Sequence, residues 1–482
     1  MPSRDLEVRV ATLPHRGEAL AGDGASVARA WEWRRGPQEA RRAASAAVLT
    51  LIVAGNGAAI VWMWLHDGGI SGVHGRPEAF TSLGRITGLL GVYLALLQVL
   101  MLSRLPPLER LVGFDRLTSW HRVNGKVCVS LIVAHVLLIT GGYSLAAKLT
   151  FGHEFSRLLG VYPGMVTATI GTGILVLVVL SSITIARRRM RYESWYFVHF
   201  TVYAGIALGY LHQLPTGNEF VVHPAQADYW ISLYVATLAI LLAYRVVRPV
   251  RDAFRYRLRV RSVTVEAPGV TSIEVTGRDL HALRAQAGQF MLWRFITKGR
   301  WWQSHPFSLS AIPNGDSLRL TVKAVGDFSR AIGELEPGTR VFVEGPFGVF
   351  TSAVRRRPKV VLIAGGIGIT PLRTLFEELS ESADVTLIYR VISGSEIIFE
   401  EELREIERRS GAALHLLIGD HQSRKGAVLL GSKNLARLVP GIADRDVYIC
   451  GPAAMIDATR QALDQLGVPE EQIHSERFAL AA

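Results

Sequence analysis

Four histidines fall in two pairs inside apolar stretches of this 482-residue chain: His121 and His135, then His199 and His212. An apolar segment that crosses a bilayer has little use for imidazole unless the ring binds something, a metal centre or a polar group on a neighbouring helix. The first pair is spaced by 14 residues. At ~1.5 Å per residue that climbs ~21 Å, much of the ~30 Å bilayer core. Two such helices could hold two haems, one above the other, each iron bound by two imidazole nitrogens. That arrangement is an electron wire. The spacing also poses a problem. Fourteen residues turn ~1400° and return within ~40° of the same face, whereas the 13 between His199 and His212 miss it by ~140° on an ideal helix. The second helix must therefore be distorted or use different rotamers, and Gly205 and Gly209 offer a place to yield.

The elements that must carry these histidines are six apolar segments before residue 250: Ala43–Leu65, Ile86–Ser103, about Thr118 to Ala147, a stretch between Arg157 and Arg187 starting near Pro163, one between Glu193 and Glu219, and Tyr229–Tyr244. Each is near the ~20 residues needed to span. Arginines crowd three connections: Arg104, Arg110, Arg116 and Arg122; Arg187, Arg188, Arg189 and Arg191; and Arg245, Arg248, Arg251, Arg255 and Arg257. The other three carry only Arg76, then Lys148 and Arg157, then none. By the positive-inside rule both termini are cytosolic, which sets His121 level with His199 near the inner face and His135 level with His212 near the outer one. A charge rule that knows nothing of haem pairs the same residues. His66, His74, His153 and His223 fall in the outer loops and read as solvated.

The net charge of +12 would suggest nucleic acid, but arginines gathered at the ends of apolar segments speak against it. Cys128 and Cys450 are the only cysteines, too few for a disulfide framework, zinc cage or iron–sulfur cluster. Residues 1–42 contain Asp5, Glu7, Glu18 and Asp23, unlike a secretory leader, and read as a cytosolic tail.

After about Arg251 short β-rich runs follow one another: Arg257–Val265, Thr271–Val275, Gln289–Phe295, Ser317–Val325 and Arg340–Val343. Regular short strands suggest a small antiparallel barrel. Within it, His305-Pro306-Phe307-Ser308 reads either as a proline turn into a strand or as a hydroxyl and amides suited to a flavin ring. Lys323, Gly326, Phe328 and Ser329 sit where a helix could begin and bind pyrophosphate. From Lys359 strands and helices alternate (Val360–Ala364, Val385–Tyr389, Ala413–Ile418, Val447–Cys450), the pattern of a parallel α/β sheet. Gly365, Gly366 and Gly368, followed by Thr370 and Pro371, lie between a strand and a helix, where a glycine turn lets a phosphate approach the helix N-terminus. Arg390 ends the next strand; it either meets a 2′-phosphate, favouring NADPH, or is a solvated strand end. Cys450-Gly451-Pro452 ends a later strand at the same edge, and Cys450 by itself is equally a small buried residue.

Together these motifs, over about residues 43–482, resemble the NADPH oxidase and ferric reductase superfamily. The 14 and 13 spacings are similar to its bis-histidine pattern for two b-type haems. His305–Ser308 resembles its flavin motif, Glu344–Gly348 its hinge, Gly365–Pro371 and Cys450–Pro452 its nicotinamide motifs, and Glu476-Arg477-Phe478 its C-terminal Glu-x-Phe. The resemblance implies that His121 pairs with His199 and His135 with His212. It places Phe478 over the flavin, with Cys450 also at the hydride-transfer site. Eukaryotic oxidases of this family carry a further histidine shortly after the outer ligand of the third helix, near the oxygen site; four residues after His135 this chain has Ile139, a departure from that pattern. No EF-hand loop is present.

The expected molecule is a multi-domain membrane protein: a cytosolic tail (1–42), a six-helix transmembrane bundle with two haem b (43–250), an FAD-binding barrel (251–355) and an NAD(P)H-binding α/β domain (356–482), the last two as in ferredoxin–NADP reductases. It would sit in the plasma or inner membrane, among lipid, with both termini cytosolic. It would move electrons from NADPH (or NADH) through FAD and haem to an outer acceptor, with oxygen giving superoxide as the first choice. A ferric chelate, or a separate partner protein as acceptor, are the alternatives. No nucleic acid or obligatory protein partner is implied.

Overall fold

A computed structural model describes residues 24–183, 187, 189–190, 192–419 and 428–477, with the backbone alone over 24–43. It forms two compact units, one built on Gly36–Val247 and the other on Arg248–Ala482.

The first unit is helical. In chain order it contains α1 (Gly24–His66), α2 (Arg76–Met101), α3 (Pro106–Val112), α4 (Phe114–Ala147), α5 (Phe151–Val161), α6 (Met165–Ser182), α7 (Tyr192–Phe200), α8 (Val202–Thr216) and α9 (Pro224–Leu242). Among the described residues five helices are long and apolar enough to cross a membrane: Ala44–His66, Arg76–Met101, Arg116–Ala147, Met165–Ser182 and Pro224–Tyr256. The stretch expected as a fifth of six spans is not one helix. It is broken at Thr201 into α7 and α8, each too short to cross by itself. The unit carries large apolar side chains on its outside, Leu51 71%, Trp62 62% and Phe197 63% exposed, as suits a lipid-facing surface.

Two helix pairs make the intimate contacts, and glycine is the reason. An added Cβ on Gly84 would lie 2.8 Å from Ile139, and one on Gly91 2.9 Å from Ile132, so α2 seats directly on α4. A Cβ on Gly171 would lie 2.7 Å from the Gly205 carbonyl oxygen, so α6 and α8 meet backbone to backbone.

The second unit holds two three-stranded antiparallel sheets and one parallel sheet. The antiparallel strands are β1 (Arg259–Ala267), β2 (Val270–Thr276), β3 (Phe290–Phe295), β4 (His305–Ser308), β5 (Ser317–Lys323) and β6 (Val341–Phe347). They are ordered β1-β2-β5 and β4-β3-β6. Bridges at Arg259–Arg340 and Leu309–Leu320 join the sheets around a core of Ile273, Met291, Trp293 and Leu320, all fully buried. The parallel sheet runs β11-β10-β7-β8-β9, with β7 (Lys359–Gly365), β8 (Asp384–Val391), β9 (Ala413–Ile418), β10 (Asp446–Gly451) and β11 (Ile473–Arg477). Helices α10 (Ile369–Ser380), α11 (Glu400–Ser410) and α12 (Ala453–Gln465) connect or follow these strands, and separate apolar clusters contribute to the core around the sheet. The central strands are apolar along their whole length (Val360 through Ala364 are 0% exposed) because both faces are covered.

Candidate functional site

The helical unit brings the four histidines together in pairs at two levels. His121 and His199 have ring centroids 6.1 Å apart, and His135 and His212 6.4 Å apart. Two metal–nitrogen bonds of about 2 Å, with each ring centre about 1 Å beyond its nitrogen, require centroids about 6 Å apart. The rings thus lie side by side in the same two pairs that spacing and charge suggested, at a separation compatible with a shared metal.

Each ring has its Nδ1 engaged, which leaves Nε2 as the nitrogen available to a metal. His121 Nδ1 meets the Gln98 carbonyl oxygen at 3.2 Å, and His135 Nδ1 meets that of Gly84 at 2.8 Å, both on α2. His212 Nδ1 meets the Gly209 carbonyl of its own helix. His199 rests on Ser182 Oγ, 3.3 Å away at the end of α6. That hydroxyl donates to the Val178 carbonyl at 2.7 Å and accepts from Trp195 Nε1 at 3.2 Å, so its remaining lone pair accepts the imidazole N–H. Trp195 also stacks on His199, with centroids 4.9 Å apart and planes at 30°. Glycine makes room here as well: a Cβ on Gly88 would lie 2.5 Å from His135 Nδ1, and one on Gly164 2.8 Å from His212 Cα.

A break at Thr201 falls within the 13-residue spacing. Thr201 has φ −63° and ψ −10°, and its Oγ1 donates to the Val198 carbonyl at 2.7 Å. The turn lies between His199 and His212, and α8 restarts after it. The break sits at Thr201, upstream of Gly205, where an added Cβ would lie 3.2 Å from the Gly171 carbonyl oxygen of α6. His223, expected as solvated, pairs at 2.9 Å with the carboxylate of Asp67, whose side chain is 2% exposed.

In the barrel, His305–Ser308 is itself the strand β4, on the edge of its sheet, where Pro306 leaves no central ladder bond unmade. The rings of His305 and Phe328 stack at 3.8 Å, with Phe307 nearly parallel to Phe328. Burial lowers the His305 pKa, so the ring stacks as neutral imidazole. Ser308 Oγ is buried and lacks a partner, which fits a polar edge of a bound flavin. A helical turn, Asp327–Ala331, begins after Gly326 as expected. The amides of Val325 and Gly326 are not free donors, however: both bond Ser329 Oγ at 2.9 Å. Lys323 Nζ lies 3.9 Å from Glu396.

In the parallel sheet the chain leaves β7 toward β8 on one side and returns as β10 on the other. The crevice between the ends of β7 and β10 is the topological switch point, where open α/β sheets bind ligands. Both glycine motifs lie there, since Cys450 is the register partner of Ala364. A Cβ on Gly368 would lie 2.2 Å from the Cys450 carbonyl oxygen, and one on Gly451 2.7 Å from Met455. Gly366 has φ +53°. Thr370 and Pro371 open α10. Arg390 is level with Gly365 on the next strand, and Glu476 with Cys450 on the last. Cys450 is fully buried; burial first, then the charge of Glu476, pushes its thiol well above the ordinary value, as for a packed residue rather than a thiolate. Phe478 lies outside the described residues.

Sequence reading missed Ser182, Trp195, Gln98 and the carbonyl of Gly84. Glycines at 84, 88 and 91, spaced along one helix face, were a usable signal for the last.

Comparison with known proteins covers all three parts. Residues 87–210 match the ferric reductase like transmembrane component, 257–351 an FAD-binding domain, and 362–461 an oxidoreductase NAD-binding domain. The chain is 31% identical over 231 residues to a flavohemoprotein of Vibrio cholerae, covering 45% of this chain and 58% of that protein. It is 32% identical over 202 residues to the ferredoxin reductase component of a 3-ketosteroid-9-alpha-monooxygenase of Mycobacterium tuberculosis, covering 41% and 55%. The chain thus spans little more than half the length of these relatives. Among solved structures, the FAD/NAD-binding domain of a Vibrio cholerae nitric oxide dioxygenase matches with TM-score 0.39 and 27% identity, covering 46% of this chain and 99% of that one. A ferric reductase-like membrane component followed by flavin-binding and NAD-binding domains makes an NAD(P)H-dependent oxidoreductase, and that order of parts is the architecture of the NADPH oxidase and ferric reductase superfamily.

Proposed function

We propose that this protein carries electrons from cytosolic NADPH across a membrane to oxygen on the far side, releasing superoxide. The observation that carries the reading is the pair of imidazole pairs, 6.1 and 6.4 Å between centroids, each ring with Nδ1 engaged. When bound, FAD takes a hydride and passes its electrons on singly, and two haem b carry them through the bilayer.

The chain's own residues bind and orient. His121 with His199, and His135 with His212, hold the inner and outer haem. Ser182, Gln98, Gly84 and Gly209 fix the imidazole tautomers. Two imidazoles at each level would leave a bound haem without a vacant site for oxygen, so the group would supply single electrons by outer-sphere transfer. His305–Ser308 and Phe328 would form the wall for FAD, with Ser308 Oγ offered to its polar edge; Lys323 would bring positive charge to its pyrophosphate, while Gly326 and Ser329, bonded to each other, would shape the turn beside it. Gly365–Gly368, Thr370 and Pro371 receive the nicotinamide nucleotide, Gly451 and Pro452 close the crevice, and Arg390 reads the 2′-phosphate. Cys450, fully buried, packs beneath the site, and by the resemblance Phe478 would cover the flavin.

Charge favours oxygen over an anionic ferric chelate. Arg157, one of the few cations on the outer side, is spent on fully buried Glu154 through two hydrogen bonds of 2.6 and 2.8 Å.

The test is anaerobic. NADPH is added to the FAD-supplemented, haem-loaded protein, the haem spectrum is followed, and air is then admitted. Rapid reduction, then rapid reoxidation with superoxide formed, is the expected result. Reduction followed by slow reoxidation in air would leave the electron path standing and reject oxygen as acceptor. No reduction by NADPH would reject the reading itself.

A further inference from the structure

Resting on the assignment of NADPH as donor and FAD as acceptor, the geometry points to a positioning device for hydride transfer: Arg319 of the flavin barrel, through Glu402, Arg373 and Phe399, clamps onto the barrel both the helix that begins at the nucleotide turn and the loop that follows β8 and Arg390.

Arg319 lies on β5. Its two terminal nitrogens meet the two carboxylate oxygens of Glu402 on α11 at 2.7 and 2.8 Å, and one of them also donates to the Ser310 carbonyl at 2.8 Å. Such a fork fixes direction as well as distance. Glu402 Oε2 lies 2.8 Å from Arg373 Nε on α10, and Arg373 Nη1 is 2.5 Å from Glu377. Arg373 is 8% exposed, and Arg319 and Glu402 are half-buried, so salt screens the network less than it would a fully exposed pair. A second tie runs beside it. The Gly288 amide, in the chain leading into β3, donates at 2.9 Å to Thr374 Oγ1, which itself donates at 2.7 Å to the carbonyl of Pro371 in the glycine motif. Helix α10 starts at the nucleotide turn, and its next turn is bolted to the barrel twice.

The other flank is held by the same arginine. The Arg319 guanidinium lies over the Phe399 ring, 4.8 Å from its centre. Phe399 has φ +62°, a left-handed conformation that costs a bulky residue energy and persists only where its surroundings impose it. It ends the loop that follows β8 and Arg390. That loop is tied back to β8 where Tyr389 Oη meets the Glu396 carbonyl and the Ile398 amide, each at 3.4 Å. One barrel side chain therefore sets where the turn that receives the nucleotide and the loop beside its ribose stand relative to the flavin wall. Misplacement of reacting groups by about 1 Å costs up to about 100-fold in rate, whereas the glycine motifs and Arg390, assigned to the nucleotide, all lie on the parallel sheet.

The experiment uses the full-length protein in detergent, with Arg319→Met, Arg319→Lys and the near-isosteric Thr374→Val. In the FAD-free protein, Arg319→Met should raise hydrogen exchange over residues 366–380 and 394–403, leaving β1–β3 at wild-type protection. In the FAD-loaded protein it should slow NADPH-driven flavin bleaching by about tenfold or more with the dissociation constant for NADP⁺ held within about twofold. Arg319→Lys, which keeps charge but not the fork, should fall between, and Thr374→Val should repeat the pattern more weakly. Wild-type exchange and bleaching in Arg319→Met and Thr374→Val would overturn the clamp, as would a uniform rise of exchange across the barrel. If NADPH fails to bleach even the wild-type flavin, the donor assignment falls, and the exchange arm decides the clamp alone.

Discussion

At the scale of single residues, the four histidines differ in what holds them. Three lean on backbone carbonyls, which no substitution removes. His199 leans on a side chain, Ser182 Oγ, and on the stacked ring of Trp195. A hydrogen bond to the remote nitrogen of a ligand histidine is worth roughly 10–100-fold in metal affinity. Ser182→Ala should therefore weaken the inner haem by about that factor and leave the outer one in place. His199→Ala should remove the inner haem and stop NADPH from reducing the outer one. Haem content after challenge with a haem-scavenging protein, followed by low-temperature spectra of what remains, checks both. Equal retention of two bis-imidazole signals in Ser182→Ala would end the case for the brace. None of this was visible in the sequence, because Ser182 precedes its histidine by 17 residues on another helix. The histidines themselves were legible, since imidazole in an apolar helix is expensive enough to demand a reason.

At the scale of elements, periodicity located the apolar helices and the barrel and sheet strands, and missed what departs from a period. The 13-residue spacing signalled a distortion, but its place at Thr201 depends on a local hydroxyl-to-carbonyl bond and on where α6 holds the chain. β4 went unread as a strand because proline marks a turn in sequence, whereas an edge strand tolerates it. The glycines of α6 give a matched test of helix packing. A Cβ on Gly171 would meet backbone, Gly205 O at 2.7 Å and Gly209 N at 3.1 Å, while one on Gly173 meets nothing within 4 Å. Gly171→Ala must push α6 from α8, costing about 1–3 kcal/mol as overpacking does. Because α6 carries Ser182 and α8 carries His212, both haems should be held less tightly. Gly173→Ala should be neutral or stabilise by about 0.5–1 kcal/mol, the usual gain over glycine in a helix. Thermal midpoints and haem retention of the two proteins in the same detergent decide it. Similar losses in both would mean that the α6–α8 crossing does not govern the haem sites.

At the scale of the whole molecule, the proposed wire has a direction, and charge sets it. The connections near His121 and His199 are dense in arginine. At the other end cations are few, and Arg157 is neutralised by Glu154. On the proposed reading, the positive-inside rule assigns the flavin and nucleotide half to the cytosol, where NADPH is found. The chain is well suited to a direct test, because its two cysteines, Cys128 and Cys450, are both buried and give little background. A single cysteine is placed at exposed His153 on α5, and in a second protein at exposed Arg189 between α6 and α7. A membrane-impermeant maleimide on intact cells should label His153→Cys, and should reach Arg189→Cys only after lysis. The opposite pattern would set the nucleotide half outside, beyond the reach of cellular NADPH, and the proposed direction of electron flow would fall with it even if every histidine assignment held.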